Sequence, residues 1–306
     1  MKEIIQTISS LLPFGPMDAV AVGIIDFKNK KFETIEALQS DDGVVFQVDP
    51  HIFYDLASVS KPLINSLSYF LRPEAFDKNL LLCLNHRAGI PAWGLLSKNN
   101  WKELLLNYPI IESDTLYSDF SAIRVMLELE KKGINQKELV QKIWDSETVY
   151  WTDLPIGSSL LQYGFKEGHE NFGMVHDPNA YTIGEFVPHA GVFSTVNGLC
   201  RTLLNYETET GFIQKVKIDL ASHRHRFAFG WDRVMNPTET LAGIGCGPNT
   251  FGHLGFTGTS VWIDPDLGVG HVILTNATKN HWFDKANLND LRRGIGELVW
   301  RSFRSK

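Results

Sequence analysis

The sequence predicts an α+β fold, and three observations carry that prediction. Runs rich in strand formers lie near both ends of the chain, at 19–37 and again from 227 onward. The interval between them, about 60–222, is patterned mostly as helix. The 306 residues are 43% apolar and 21% charged, with no repeats or low-complexity linkers, so one large domain or two sharing a core is expected. Both ends then feed one antiparallel sheet. Residues 1–59 and 223–306 form an α/β sheet domain around a mostly helical inserted region at 60–222.

The elements follow in order. Residues 1–12 carry apolar side chains at helical spacing and predict an amphipathic helix. Ala19–Asp26 is dense in β-formers, 28–31 reads as a turn, and 32–37 is the returning strand of a hairpin. Segments 101–106, 121–132 and 137–144 are the best helix candidates of the middle region. Strands are predicted at 227–231, 258–264 and 270–276, the last two joined by the turn Pro265-Asp266-Leu267-Gly268. A helix over 287–303 closes the chain.

Net charge is −6 and no long basic stretch occurs, which argues against nucleic acid or an anionic membrane as partner. The cluster His223-Arg224-His225-Arg226 reads as a solvated loop before a strand. Cys83, Cys200 and Cys246 are odd in number and far apart, as reduced thiols are. The first residues lack the apolar core and cleavage site of a signal peptide, and no apolar run reaches transmembrane length. A cytoplasmic protein is expected, or a periplasmic one if a leader is removed.

The chemistry concentrates in Phe53-Tyr54-Asp55-Leu56-Ala57-Ser58-Val59-Ser60-Lys61-Pro62. Ser58 and Lys61 form an S-x-x-K pair, and residues three apart on a helix share a face. A serine hydroxyl needs a base beside it, and a lysine serves if burial or positive neighbours lower its pKa. Pro62 is tolerated only in a first helical turn, so the helix must begin close to Ser58. There the free N–H groups favour developing negative charge. Alone, this tetrapeptide occurs by chance in many chains.

Two other segments could supply partners. Tyr117-Ser118-Asp119 precedes a helix; Tyr117 could relay a proton if its phenol titrates below about 10, although Asp119 would equally serve as a helix cap. Phe251-Gly252-His253-Leu254-Gly255-Phe256 sets glycines around a histidine before a strand, where backbone N–H groups can meet an oxyanion.

Together these segments resemble the serine β-lactamase and penicillin-binding protein superfamily, in particular its class C-like branch of esterases, D-Ala-D-Ala carboxypeptidases and D-aminopeptidases. Asp55–Pro62 of the run above resembles its first motif, Tyr117-Ser118-Asp119 its Y-x-N motif, and His253-Leu254-Gly255 its K/H-T-G motif. Leu80-Leu81-Leu82-Cys83-Leu84-Asn85-His86-Arg87-Ala88-Gly89-Ile90-Pro91 resembles its “LLxHxSGLP” segment. Val175-His176-Asp177-Pro178-Asn179-Ala180, continued by His189-Ala190-Gly191-Val192-Phe193-Ser194-Thr195, resembles “VHDxNA…GHAGLFST” of esterase-like members. The resemblance implies a β-lactamase-like fold with the active site at the junction of the two regions. It implies Ser58 as acylated nucleophile, Lys61 and Tyr117 as base and proton relay, and the N–H groups of Ser58 and Phe256 as oxyanion hole. His253, Gly255, Phe256 and Asp119 would bind substrate; no cofactor or metal is implied.

Two departures bear on the substrate. Asp119 stands where the family has asparagine; a carboxylate cannot donate to a substrate carbonyl, and it raises the lysine pKa. Leu254 replaces a threonine or serine hydroxyl that would bind a substrate carboxylate. The interval between Lys61 and Leu80 is also short for the family. An esterase-like serine hydrolase acting on a small ester, amide or peptide is the favoured expectation. A penicillin-binding D,D-peptidase or β-lactamase is the alternative, and a catalytically weak binding or assembly protein is the reading from another class. Neither a G-x-S-x-G elbow nor an H-E-x-x-H cluster is present, which disfavours an α/β-hydrolase and a zinc hydrolase.

Overall fold

Ala19–Asp26 carries apolar side chains on both of its faces, the pattern of a strand buried on both sides. The computed structural model, which describes residues 1–47, 51–155, 173–279 and 284–304, places it inside a sheet. The strands are β1 (Ala19–Asp26), β2 (Lys31–Ser40), β3 (Gly43–Gln47), β4 (Tyr54–Asp55), β5 (Thr148–Tyr150) and β6 (Val192–Ser194), then β7 (Phe227–Ala228), β8 (Trp231–Arg233), β9 (Phe251–Leu254), β10 (Ser260–Asp264) and β11 (Val269–Thr275). Among the described residues, eight of them make one antiparallel sheet in the order β3-β2-β1-β11-β10-β9-β8-β7. The expected α+β class holds, with both chain ends in the same sheet.

Period two decides which side chain meets which layer. Val20 and Val22 of β1 and Ile273 of β11 face the terminal helices Lys2–Leu11 and Ala286–Arg304, among Ile4, Ile8, Leu288, Leu291 and Ile295. Ala19, Ala21 and Ile25, with Val272 and Leu274, face the helix Val196–Thr210 through Val196, Leu199 and Leu203. Full burial of each such valine, leucine or isoleucine side chain contributes about 1.5–3 kcal/mol. Gly23 lets that helix come close, because a Cβ there would collide with Cys200 Sγ and Val272 Cγ2. A third core gathers Leu80, Cys83, Trp101, Phe120, Ile123 and Leu127 from helices Lys78–Leu84, Trp101–Asn107 and Asp119–Lys131. No helix among the described residues is long and apolar enough to cross a membrane.

Several elements differ from expectation for local reasons. The segment 227–231 is no single strand: β7 and β8 pair Phe227 with Asp232 and Ala228 with Trp231 around a two-residue turn. Phe229 (φ +49°) and Gly230 (φ +84°) form that turn, and Phe229 is held in its unfavourable backbone by stacking on Tyr69 at 4.6 Å. Gly258, φ +103°, belongs to the turn before β10 rather than to the strand. The helix expected at 137–144 runs over Gln136–Gln141, and Trp144 beyond it donates its indole N–H to Leu63 O. The two- and three-residue strands β4, β5 and β6 form a small separate sheet, too short to show as periodicity.

Candidate active site

Strand β4 delivers the chain to Ser58 through a turn anchored at every residue. Leu56 N–H donates to Val192 O of β6. Thr257 and Thr259, beyond β9, donate their hydroxyls to the carbonyls of Asp55 (2.6 Å) and Leu56 (2.9 Å). Gly255 fits against this turn because a Cβ would strike Leu56 O and the Thr259 side chain. Ala57 then takes φ +46°, a conformation that disfavours any residue but glycine. A 3-10 turn over Ala57–Val59 continues through π-helical Pro62–Ser66 into the α-helix Leu67–Leu71. The helix starts next to Ser58, with Pro62 in its opening turns.

Lys61 is buried with its ammonium surrounded by acceptors. Nζ donates to Ser58 Oγ at 2.8 Å and to the His189 carbonyl at 2.9 Å, and it forms an ion pair with Asp119 Oδ1 at 2.7 Å. Three partners match the three protons of a charged lysine. Burial opposes the charge, but Asp119 and Tyr117 outweigh it and raise the Lys61 pKa. The lowered lysine pKa that base catalysis asks for is therefore absent in this resting state, as the carboxylate at 119 implied.

Tyr117 lies across this pair. Its phenol neighbours both Lys61 and Ser58, each of which favours its ionised form, and Lys61 Nζ sits 5.0 Å from its ring centre. Burial, helped by Asp119, raises its pKa; Lys61 pulls the other way and does not win. The expectation of a depressed phenol is thus corrected by desolvation, which no motif displays. Ser118, not Asp119, caps the next helix, accepting Ser121 N–H at 2.9 Å, which leaves the Asp119 carboxylate for Lys61. Ser118 N–H donates to His86 Nδ1, and the His86 ring packs 4.7 Å from that of Tyr117.

His253 sits on β9 with its ring 5.9 Å from Tyr117 and its Nδ1 2.9 Å from Leu254 O. Burial, reinforced by Lys61, lowers its pKa to about 3, so it is neutral at physiological pH. Phe256 stacks on His176 at 5.3 Å and stands half-exposed at the rim. Lys285 donates to the Phe256 carbonyl at 2.7 Å and covers its ring.

Two cavities meet at Ser58 and Tyr117. One, of about 570 Å³, is walled mainly by Ala92, Trp93, Pro178, Ala190 and Phe256, with Asp119 and Asp177 in its lining. The other, of about 420 Å³, is bordered by Arg226, Lys285, Arg292, His253 and Gly255. The structure thus gathers Ser58, Lys61, Tyr117, Asp119, His253, Gly255 and Phe256 around one point. Among the described residues no group of three metal-binding side chains converges.

Several neighbours carried no role in the sequence reading. Asp177 accepts from His189 Nε2 and from Ala180 N–H, each at 2.8 Å, tying together the two ends of the “VHD…GHAG” resemblance. Their residue types were visible; their convergence was not. Asp55, inside the first motif, and Arg226, Lys285 and Arg292 were missed because only folding brings the last helix and its approach beside Arg226 and Ser58.

Comparison with known proteins follows the same direction. The Beta-lactamase family matches residues 146–293. A protein of Escherichia coli O157:H7 named “Putative D-alanyl-D-alanine carboxypeptidase” is 34% identical over 117 residues, 35% of this chain and 27% of that protein. The “N-acetylmuramyl-L-alanine amidase” of Bacillus subtilis strain 168 is 35% identical over 116 residues, 34% of this chain and 26% of its own. The matched region spans about a quarter of the length of these relatives. The solved class C β-lactamase of Rhodobacter sphaeroides superposes with a TM-score of 0.62 at 13% identity, covering 100% of both chains.

Proposed function

We propose that the chain is a member of the serine β-lactamase and penicillin-binding protein superfamily and a serine hydrolase that forms an acyl-enzyme on Ser58, a reading that its fold and its family match support. The observation that carries this reading is Lys61 Nζ at 2.8 Å from Ser58 Oγ, with Tyr117 beside the pair and its ring 5.0 Å from Lys61 Nζ. Lys61 and Tyr117 hold their protons tightly and titrate as a coupled pair. Loss of one proton from that pair creates the base; the lysine charge stabilises a phenolate, and Asp119 stabilises the lysine charge. Ser58 then gives its proton to the pair and attacks the acyl carbon. The N–H groups of Ser58 and Phe256 take the oxyanion, and the pair returns the proton to the departing alcohol or amine. Water hydrolyses the acyl-enzyme by the reverse traffic.

An ester with an apolar acyl group is the favoured substrate class, supported by the cavity of Ala92, Trp93, Pro178, Ala190 and Phe256. A carboxylate-bearing amide, as a D,D-peptidase or β-lactamase would take, is the second reading. The cationic lining of Arg226, Lys285 and Arg292 favours it; the missing hydroxyl at Leu254 opposes it.

The test uses p-nitrophenyl esters, a fluorescent penicillin and a fluorophosphonate on the wild type and on Ser58→Ala. Ester turnover should fall by about 10³-fold or more in the variant, with fluorophosphonate labelling lost. Labelling that survives Ser58→Ala would refute the site. A wild type that neither turns over nor labels would leave a binding or assembly protein.

A further inference from the structure

Asp55 is a carboxylate with no exposure and, among the described residues, no cation against it. Its Oδ1 accepts the N–H of Ala57 at 2.7 Å, and its Oδ2 accepts the N–H of His176 at 2.8 Å. Its own carbonyl accepts the Thr257 hydroxyl. Three segments distant in sequence therefore meet on this one residue. The first is the turn before Ser58, where Ala57 holds a positive φ. The second is the 176–178 segment, whose His176 ring stacks on Phe256. The third is the turn at 255–259, which carries the N–H of Phe256.

We propose that Asp55 is a positioning residue: by accepting from Ala57 and His176 at once, its carboxylate keeps Ser58 and Phe256 in the geometry that an oxyanion requires. This rests on the acyl-enzyme reading of Ser58. The ionised group does it best, because both of its oxygens are full acceptors. Protonation turns one oxygen into a hydroxyl, a much poorer acceptor, and an asparagine presents an N–H there, so the first weakens and the second breaks the bond from Ala57 or His176.

The switch falls in an accessible range. Burial foremost, and Asp177 in addition, raise Asp55 to about 7; the bonds from His176 and Ala57 oppose this. The titratable groups that face it are Asp177 beside His176 and the phenol of Tyr150 on β5. Asp177 is held far below the usual carboxylate range by His189 despite its burial, and Tyr150 is held above its ordinary value by burial, so neither titrates near neutrality. Asp55 loses its carboxylate as pH falls through about 7, so the geometry is lost on the acid side.

The experiment is the rate at which a fluorophosphonate labels Ser58, followed by mass spectrometry from pH 5 to 9, in wild type and Asp55→Asn. The wild type should show an acid limb near pH 7. The variant should label about 10- to 100-fold more slowly at pH 8, with that limb gone and the reagent's half-saturating concentration little changed. Should Asp55→Asn not fold, the wild-type limb decides, compared with Asp119→Asn: the limb of Asp55 stays in place while that of Lys61 and Tyr117 moves. A wild type without a limb near pH 7, or a variant that keeps the wild-type rate and profile, overturns the proposal. Absence of any label on wild-type Ser58 overturns the acyl-enzyme reading instead.

Discussion

The two cavities beside Ser58 share Tyr117 and Phe256 as walls yet differ in chemistry. Toward residues 92–93 and 176–178, small apolar and aromatic side chains dominate. Toward β9 and the last helix, three cations border the space. Arg226 is already engaged by Asp232, through bonds of 2.8 and 2.6 Å. Arg292 spends its guanidinium on the carbonyls of Gly255 and Thr259. Lys285 holds Phe256, and burial, with Arg292 adding to it, lowers its pKa to about 8. The apolar cavity is thus ready to take a group by desolvation, whereas most of the charge in the basic one braces the wall that carries the third motif. This contrast is why an apolar acyl group ranks above a carboxylate in the proposed substrate.

Substitutions on each side can break that contrast. Trp93→Ala should have the largest effect: kcat/KM for aryl-acyl or long-chain esters falls roughly 10- to 100-fold while that for acetate esters barely moves. An equal loss for both would show that the apolar cavity does not hold the acyl group. Asp119→Asn follows. Removing the carboxylate lowers the pKa of Lys61 and removes a repulsion from the Tyr117 phenolate, so the base forms at lower pH. The acid limb of the pair should move down by about one unit, roughly tenfold in rate on its slope. An upward shift, or none, would remove Asp119 from the control of the base.

Lys285→Ala should act least, reducing turnover of carboxylate-bearing esters about 3- to 10-fold in low salt and less in high salt, with a smaller, salt-insensitive loss for neutral esters from the freed Phe256 carbonyl. Its charge is present below about pH 8 and lost above it, so any wild-type preference for anionic substrates should fade as pH rises past 8. A preference that persists at pH 10 would assign it to Arg226 or Arg292.

Legibility varied with range. The strands at both ends, the terminal helices and the start of the helix at Ser58 follow from periodicity and from one proline, all local signals. The turn at Phe229-Gly230 and the sheet of β4, β5 and β6 do not, because a positive-φ aromatic is held by Tyr69 and a two-residue strand by partners 140 positions away, as the Tyr54–Ser194 pairing shows. Asp119 is instructive: residue type alone said that it would charge Lys61, and the structure supplied the reason it is free to do so, the cap provided by Ser118.

By itself the sequence determined an α+β chain with a serine–lysine pair on one segment and a tyrosine on another, each carrying the residue type its chemistry needs. Spacing, propensity and side-chain chemistry act within a few residues and survive without the fold. Tertiary structure alone decided the protonation of those groups and the shape of what they face. Burial raises the pKa values of Tyr117 and Asp55, Asp119 overrides burial at Lys61, and two unlike cavities meet at one hydroxyl. Desolvation and Coulomb energy depend on everything within several ångströms, and folding assembles that neighbourhood from residues as far apart as Asp55 and His176.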